Sequence, residues 1–219
     1  MATSKAQRFG IWVIVVLMVL GTLVSFVIIA LANQNDATDA ALVQKQQTEY
    51  QQAQTEYAEK LHAVFTENFG EYATYSDRVS EFDAEAVTEL QSEDLKVGEG
   101  AVVPEGGKVT AFYVGWNPKG EVFDSSFENG KVVKAPFDTS IGAIEGWDQG
   151  AVGMHEGGVR LLTLPAELAY GETGSGELIP PNTPLRFIMF VLPADIELPE
   201  QPEMPEELYQ SLIRQYGGQ

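Results

Sequence analysis

The chain has 219 residues, a net charge of −19 at pH 7 and no cysteine. Without cysteine, a disulfide framework, a Zn–Cys site and an acylated lipoprotein anchor are all excluded. Apart from Lys5 and Arg8, which precede every acid, the chain carries 11 basic against 32 acidic residues, a balance that repels nucleic acid and anionic lipid.

Residues 1–8 read as a short cytoplasmic tail. Residues 9–32 form an uncharged, almost wholly apolar run. As a helix it would reach about 36 Å, enough for a hydrocarbon core of about 30 Å. Lys5 and Arg8 before it, and Asp36 after it, orient such a span with the N-terminus inside and the rest outside. Ala30-Leu31-Ala32 also resembles a signal-peptidase site, but the run exceeds a typical signal-peptide core, which favours an uncleaved anchor.

Residues 33–86 read as a helical stalk and linker. The stretch 39–68 is rich in Ala, Gln and Glu and lacks Gly and Pro, a helix-forming composition. Val43, Tyr50, Tyr57 and Val64 recur every seven residues, with Leu61 beside them. Gln47 and Gln54 break the seam. A solvated stalk is the plain expectation, and a weak homodimer contact through the tyrosine stripe is the sharper one. Gly70 should end the helix.

From residue 87 the pattern becomes β-rich. Strands are expected over 87–90, 95–98, 108–115, 159–164 and 185–192, separated by Gly- and Pro-containing turns. Residues 166–170 read as a helical turn, and 137–152 as loop and short helix. The expected fold class is α+β, an antiparallel sheet with one short helix over 87–195. Residues 196–219 hold a Pro/Glu linker and then a helix over 206–216, whose one face is Leu208, Leu212, Ile213 and Tyr216.

Searches for catalytic constellations find little. The two histidines are His62 and His155. His155 lacks the second histidine of a zinc-protease motif, so no metal site is expected. Ser125 and Ser126 stand outside any nucleophile-elbow pattern. The glycine-rich stretch 171–177 has no adjoining lysine and two acids, and reads as a mobile loop rather than a phosphate cradle. What remains is aromatic: Tyr113, Phe123, Phe137, Trp147, Tyr170 and Phe187. Rings alone are ordinary core. However, Asp124 is chained to Phe123 and is costly to bury unpaired, and the two phenols need partners if buried. Apolar rings with a few polar tips describe a ligand pocket.

The ordered motifs Tyr113-Val114-Gly115, Phe123-Asp124-Ser125-Ser126, Gly146-Trp147-Asp148, Leu168-Ala169-Tyr170-Gly171 and Ile179-Pro180-Pro181-Asn182 resemble the FKBP-type peptidyl-prolyl isomerases. The resemblance implies a half-wrapped antiparallel sheet around a short helix, here preceded by a transmembrane helix and helical stalk. It implies catalytic roles for Tyr113, Phe123, Asp124 and Tyr170, and substrate binding by Phe137, Ala143, Ile144, Trp147, Leu178, Ile179 and Phe187. Departures from the family pattern are Ala143 in place of the usual Val, a lengthened 127–135 segment, a shortened loop before Gly146, and Ser175 where some members carry His.

The function so implied is isomerisation of X–Pro bonds without cofactor or covalent intermediate. The alternative is a membrane-tethered chaperone or adaptor using the same pocket with little turnover. Expected partners are proline-containing unfolded or folding polypeptides, with macrolide-type immunophilin ligands as further occupants. The expected location is the cell membrane, single-pass, with the isomerase domain extracytoplasmic.

Overall fold

The structure is a computed structural model that describes residues 34–216. The expected membrane span, 9–32, lies outside these residues. Among the described residues, no helix is long and apolar enough to cross a membrane. The described residues divide into two compact units, residues 34–50 with 204–216 and residues 51–203.

The first helix, α1, spans Gln34–Phe69. Within the smaller unit, the C-terminal helix α4 spans Glu206–Tyr216. There Gln46 Nε2 donates to Glu207 Oε2 at 3.1 Å. Leu208 is buried, while Ile213 on the same face is exposed.

The larger unit is built on one antiparallel sheet. Its strands are β1 (Gln91–Lys96), β2 (Thr110–Trp116), β3 (Val122–Ser125), β6 (Phe137–Asp138), β7 (Val159–Leu164) and β8 (Leu185–Val191), in the order β1-β7-β8-β2-β3, with β6 also pairing β2. A separate hairpin joins β4 (Phe127–Glu128) to β5 (Lys131–Val132). Its turn is Asn129-Gly130, both with positive φ, the backbone that a tight two-residue hairpin requires. The expected strand at 87–90 is irregular, and the pairing begins instead at Gln91. This Gln-Ser-Glu-Asp run has poor β propensity, and its strand state is supplied by antiparallel pairing with β7.

Both faces of the sheet are covered. On β2, Phe112, Val114 and Trp116 enter one core, while Ala111 and Tyr113 enter the other. On β8, Ile188 and Phe190 take the first side and Leu185, Phe187, Met189 and Val191 the second. The second side receives the short helix α3 (Glu145–Gly150). Two glycines let it approach. A Cβ on Gly146 would stand 2.6 Å from Leu164, and one on Gly150 2.7 Å from Leu162.

The first side receives the second half of α1, which corrects the expectation of a solvated stalk. Leu61, Phe65 and Phe69, four residues apart, are buried against Phe112 and Phe190, with Tyr57 packed beside them. One helical stripe is apolar enough to close the rear of the sheet, so its place is in the core. The helix ends at Gly70, φ +78°, and Lys96 Nζ donates to the Asn68 carbonyl at 2.5 Å, where a cation complements the helix terminus. A one-turn helix, α2 (Ala73–Ser76), adds buried Tyr75, whose hydroxyl donates to the Phe69 carbonyl.

Candidate active site

The Tyr-Val-Gly motif lies on β2. Alternation turns Tyr113 toward α3, and Gly115 leaves room for two rings. A Cβ on Gly115 would stand 2.5 Å from Phe187 and 2.7 Å from Phe123. The Phe-Asp-Ser-Ser motif closes β3 onto β2 through its polar atoms. Ser126 Oγ accepts the Tyr113 N–H at 3.1 Å, and Ser126 N–H donates to the Tyr113 carbonyl at 2.8 Å. Ser125 Oγ accepts the Phe127 N–H at 2.9 Å. The serines are therefore backbone fasteners rather than nucleophiles, and they fix the pair between them and the tyrosine.

That pair is the electrostatic centre of the site. Tyr113 Oη donates to Asp124 Oδ2 at 2.5 Å. Lys134 Nζ forms an ion pair with the other carboxylate oxygen. Burial, then the Asp124 charge, push the Tyr113 phenol far above its usual range, so it stays a protonated donor. Tyr170 is likewise raised, first by burial and then by Asp124. Tyr170 is 37 % exposed.

The apolar part centres on Trp147 of α3, which is 4 % exposed. Its ring meets Tyr113 at 4.9 Å, Phe187 at 5.4 Å and Phe137 at 5.5 Å between centroids, all edge-to-face. Phe123 meets Phe187 at 5.6 Å in the same manner. Such geometry suits ring quadrupoles and holds each ring in place. The indole Nε1 of Trp147 is buried and finds no hydrogen-bond partner among the described residues. Ala143, Ile144 and Ile179 join this cluster. Phe137 arrives on β6, ahead of a 3-10 turn at Thr139–Ile141. Asp138 caps that turn by accepting the Ser140 N–H. Hydrogen bonding from the Ser140 side chain, and then from its backbone N–H, lowers the Asp138 pKa.

The structure thus brings together Tyr113, Phe123, Phe137, Ala143, Ile144, Trp147, Ile179 and Phe187, with Asp124 and Tyr170 at the polar end. Leu178 stands apart, 39 % exposed. The glycine-rich loop expected to be mobile is closed by backbone hydrogen bonds: Gly174 N–H to Tyr170 O, Ser175 N–H to Ile179 O and Asn182 N–H to Gly171 O.

Two residues escaped the sequence reading. Lys134 had no signal beyond being one of two cations shortly before Pro136, with Lys131. Asn117 is buried in the β2–β3 turn, where its amide donates to Leu178 O at 3.0 Å and Glu121 Oε2 at 2.8 Å and accepts the Lys119 and Glu121 N–H groups. It ties the turn to the far loop. Its signal, the turn sequence Asn117-Pro118-Lys119-Gly120, spoke only of the turn. Among the described residues, no group of three or more His, Asp and Glu side chains is placed to hold a metal ion.

Known proteins resemble this chain over the same region. The sequence model of the FKBP-type peptidyl-prolyl cis-trans isomerases matches residues 91–192. The FK506-binding protein of Neisseria meningitidis serogroup A is 42 % identical over 98 residues, 43 % of this chain and 86 % of that protein. The probable FK506-binding protein of Corynebacterium glutamicum is 43 % identical over 110 residues, 50 % of this chain and 90 % of its own length. The crystal structure of AtFKBP13 shares 39 % identity and a TM-score of 0.41, covering 47 % of this chain and 90 % of that one.

Proposed function

This chain belongs to the FKBP-type peptidyl-prolyl cis-trans isomerases, and on that premise we propose that it turns X–Pro bonds by holding the twisted imide in the pocket around Trp147. The peptide C–N bond resists rotation by about 18–20 kcal/mol. For X–Pro the two isomers are close in energy, yet they exchange over tens to hundreds of seconds, on the order of a minute. Rotation breaks amide resonance and leaves a less polar group. An apolar cavity therefore favours the twisted state over the planar one, which is differential binding of the transition state.

In this reading Trp147, Phe137, Ile144 and Phe187 hold the proline ring, with Ala143, Ile179 and Leu178 lining its approach. Tyr170 donates to a neighbouring substrate carbonyl. Tyr113, Phe123 and Asp124 face the carbonyl that rotates. The observation that carries it is Trp147: a buried indole at the centre of an edge-to-face ring set, its N–H free to meet a substrate carbonyl, beside the Tyr113–Asp124 pair. Relatives named for FK506 binding make a macrolide a sensible competitor.

The clients are extracytoplasmic, and the anchor is the uncharged run 9–32. Support for both is its length and the cations that precede it. Mass of the mature N-terminus, and protease access to the domain in intact cells, test this part.

The activity test is a proline-containing tetrapeptide with the full-length chain in detergent. Phe123→Ala and Tyr170→Ala should each remove most of the rate gain. A folded chain with no rate above background would sink the proposal. Pocket variants that lose the rate yet still suppress aggregation of a proline-free client would favour the chaperone reading.

A further inference from the structure

The hairpin that delivers Lys134 is held from outside the region matched by the family. Its two inward residues, Phe127 and Val132, pair across the hairpin and are buried. Phe127 meets Phe65 of α1 at 4.7 Å edge-on and stacks on Tyr72 at 4.3 Å with an interplanar angle of 17°. The Val132 N–H points to His62 Nδ1 at 3.4 Å. Val133 N–H donates to Ser126 O at 2.9 Å, which returns the chain toward the site. One residue later comes Lys134, whose ammonium neutralises Asp124. The matched region begins at residue 91, whereas His62, Phe65 and Tyr72 precede it.

We propose that Phe65 and Tyr72 are positioning residues for isomerisation, acting through the β4–β5 hairpin to set Lys134 on Asp124. A lysine side chain is long and flexible, and a half-exposed ion pair is worth little unless its base is fixed. Here the base is fixed by packing two and seven residues upstream, at Val132 and Phe127. Asp124 held by Lys134 accepts from Tyr113 in one geometry. With the hairpin loose, the carboxylate is free to turn away from the carbonyl it should face. This rests on the role given to Asp124 above.

A double-mutant cycle tests it with the full-length chain at a temperature where every variant is folded. Tyr72→Ala and Lys134→Met should each lower kcat/KM by about three- to tenfold, the size of one net hydrogen bond. The double variant should fall no further than Lys134→Met alone, because both changes break one path. Tyr72→Phe keeps the stack and should restore the rate. Tyr75→Leu disturbs the same core on the Phe190 side, and should lower the melting temperature while leaving kcat/KM unchanged. Losses that multiply in the double variant, or a Tyr72→Ala variant with full activity, overturn the proposal while the reading of Asp124 stands. An unchanged Lys134→Met variant overturns the proposal as well, and an unchanged Asp124→Asn variant would overturn the reading of Asp124 beneath it.

Discussion

Phe65→Ala measures whether the second half of α1 belongs to the isomerase core. Phe65 is wholly buried, and its ring meets Phe127 at 4.7 Å, Phe190 at 5.1 Å, Phe69 at 5.3 Å and Phe112 at 5.7 Å. Emptying such a site costs about 3–5 kcal/mol in transfer and cavity terms. With neighbours from a helix, a hairpin and two strands, the walls collapse poorly, which favours the upper end. Domains of this size hold about 5–15 kcal/mol in total. One kcal/mol moves the melting temperature of a unit of this length by about 2–4 °C, so the expected drop is about 6–20 °C. The assay is thermal unfolding followed by circular dichroism on the full-length chain. Glu59→Ala, on the exposed side of the same helix, is the control and should move the midpoint by less than about 2 °C. A Phe65→Ala midpoint within about 3 °C of the parent would refute the packing, and with it the correction of the stalk reading.

Gly115→Ala should damage the pocket from below. Its methyl would press on Phe187 and Phe123, an overpacking cost of about 1–3 kcal/mol, and peptide affinity should fall in step; Phe187→Leu in the same chain should recover part of the loss. The phenols of Tyr57, Tyr72, Tyr75, Tyr113 and Tyr170 are all raised, chiefly by burial. A raised folded pKa means stability that is complete below the unfolded value of about 10 and lost as pH climbs beyond it. Absorbance at 295 nm should therefore rise later in the folded chain than in urea, and coincident curves would refute the burial of these groups. Asn117→Leu leaves the Leu178 carbonyl and two turn N–H groups without their partner, at about 1–3 kcal/mol for each that stays buried. Hydrogen exchange should quicken at Ser175 and Asn182, with a higher KM and little change in kcat; unchanged exchange would refute the tie.

What the sequence made legible was the part whose residues have little freedom. Gly115 must be Gly because two rings lie against it, and Ser126 must offer a hydroxyl where β2 presents the Tyr113 N–H. Such constraints leave motifs in fixed order, and Phe123, Trp147 and Phe187 could be read from them. The rear of the sheet left no motif. Leu61, Phe65 and Phe69 sit among Glu, Lys, His and Asn, and the seven-residue recurrence of Tyr50, Tyr57 and Val64 marks a neighbouring stripe. The better signal lay elsewhere. Val159-Arg160-Leu161-Leu162-Thr163-Leu164 and 185–191 do not alternate, as strands of an antiparallel sheet with one wet face should. A sheet apolar on both faces needs a second cover, and 57–69 was the available helix. Lys134 was hidden for a different reason. Its partner is ten residues away across a hairpin whose register depends on Asn129 and Gly130.

The two faces are energetically complementary. The site side carries costly features: an indole N–H buried without a partner among the described residues, a carboxylate half-withdrawn from water, and a strand glycine kept for ring clearance. The first two cost on the order of 1–3 kcal/mol each and the glycine about 0.5–1 kcal/mol. The rear side is the reverse, with interlocked Phe65, Phe69, Phe112, Phe127 and Phe190 and no ionised group among them. Both sides hang on the same strands, since Tyr113 faces one and its neighbours Phe112 and Val114 face the other. A slip of one residue in β2 would exchange them, so the rear core also pins the register that aims Tyr113 at Asp124. The helix that completes the rear core is thus what allows the front of the sheet to remain costly, half-polar and open to a substrate.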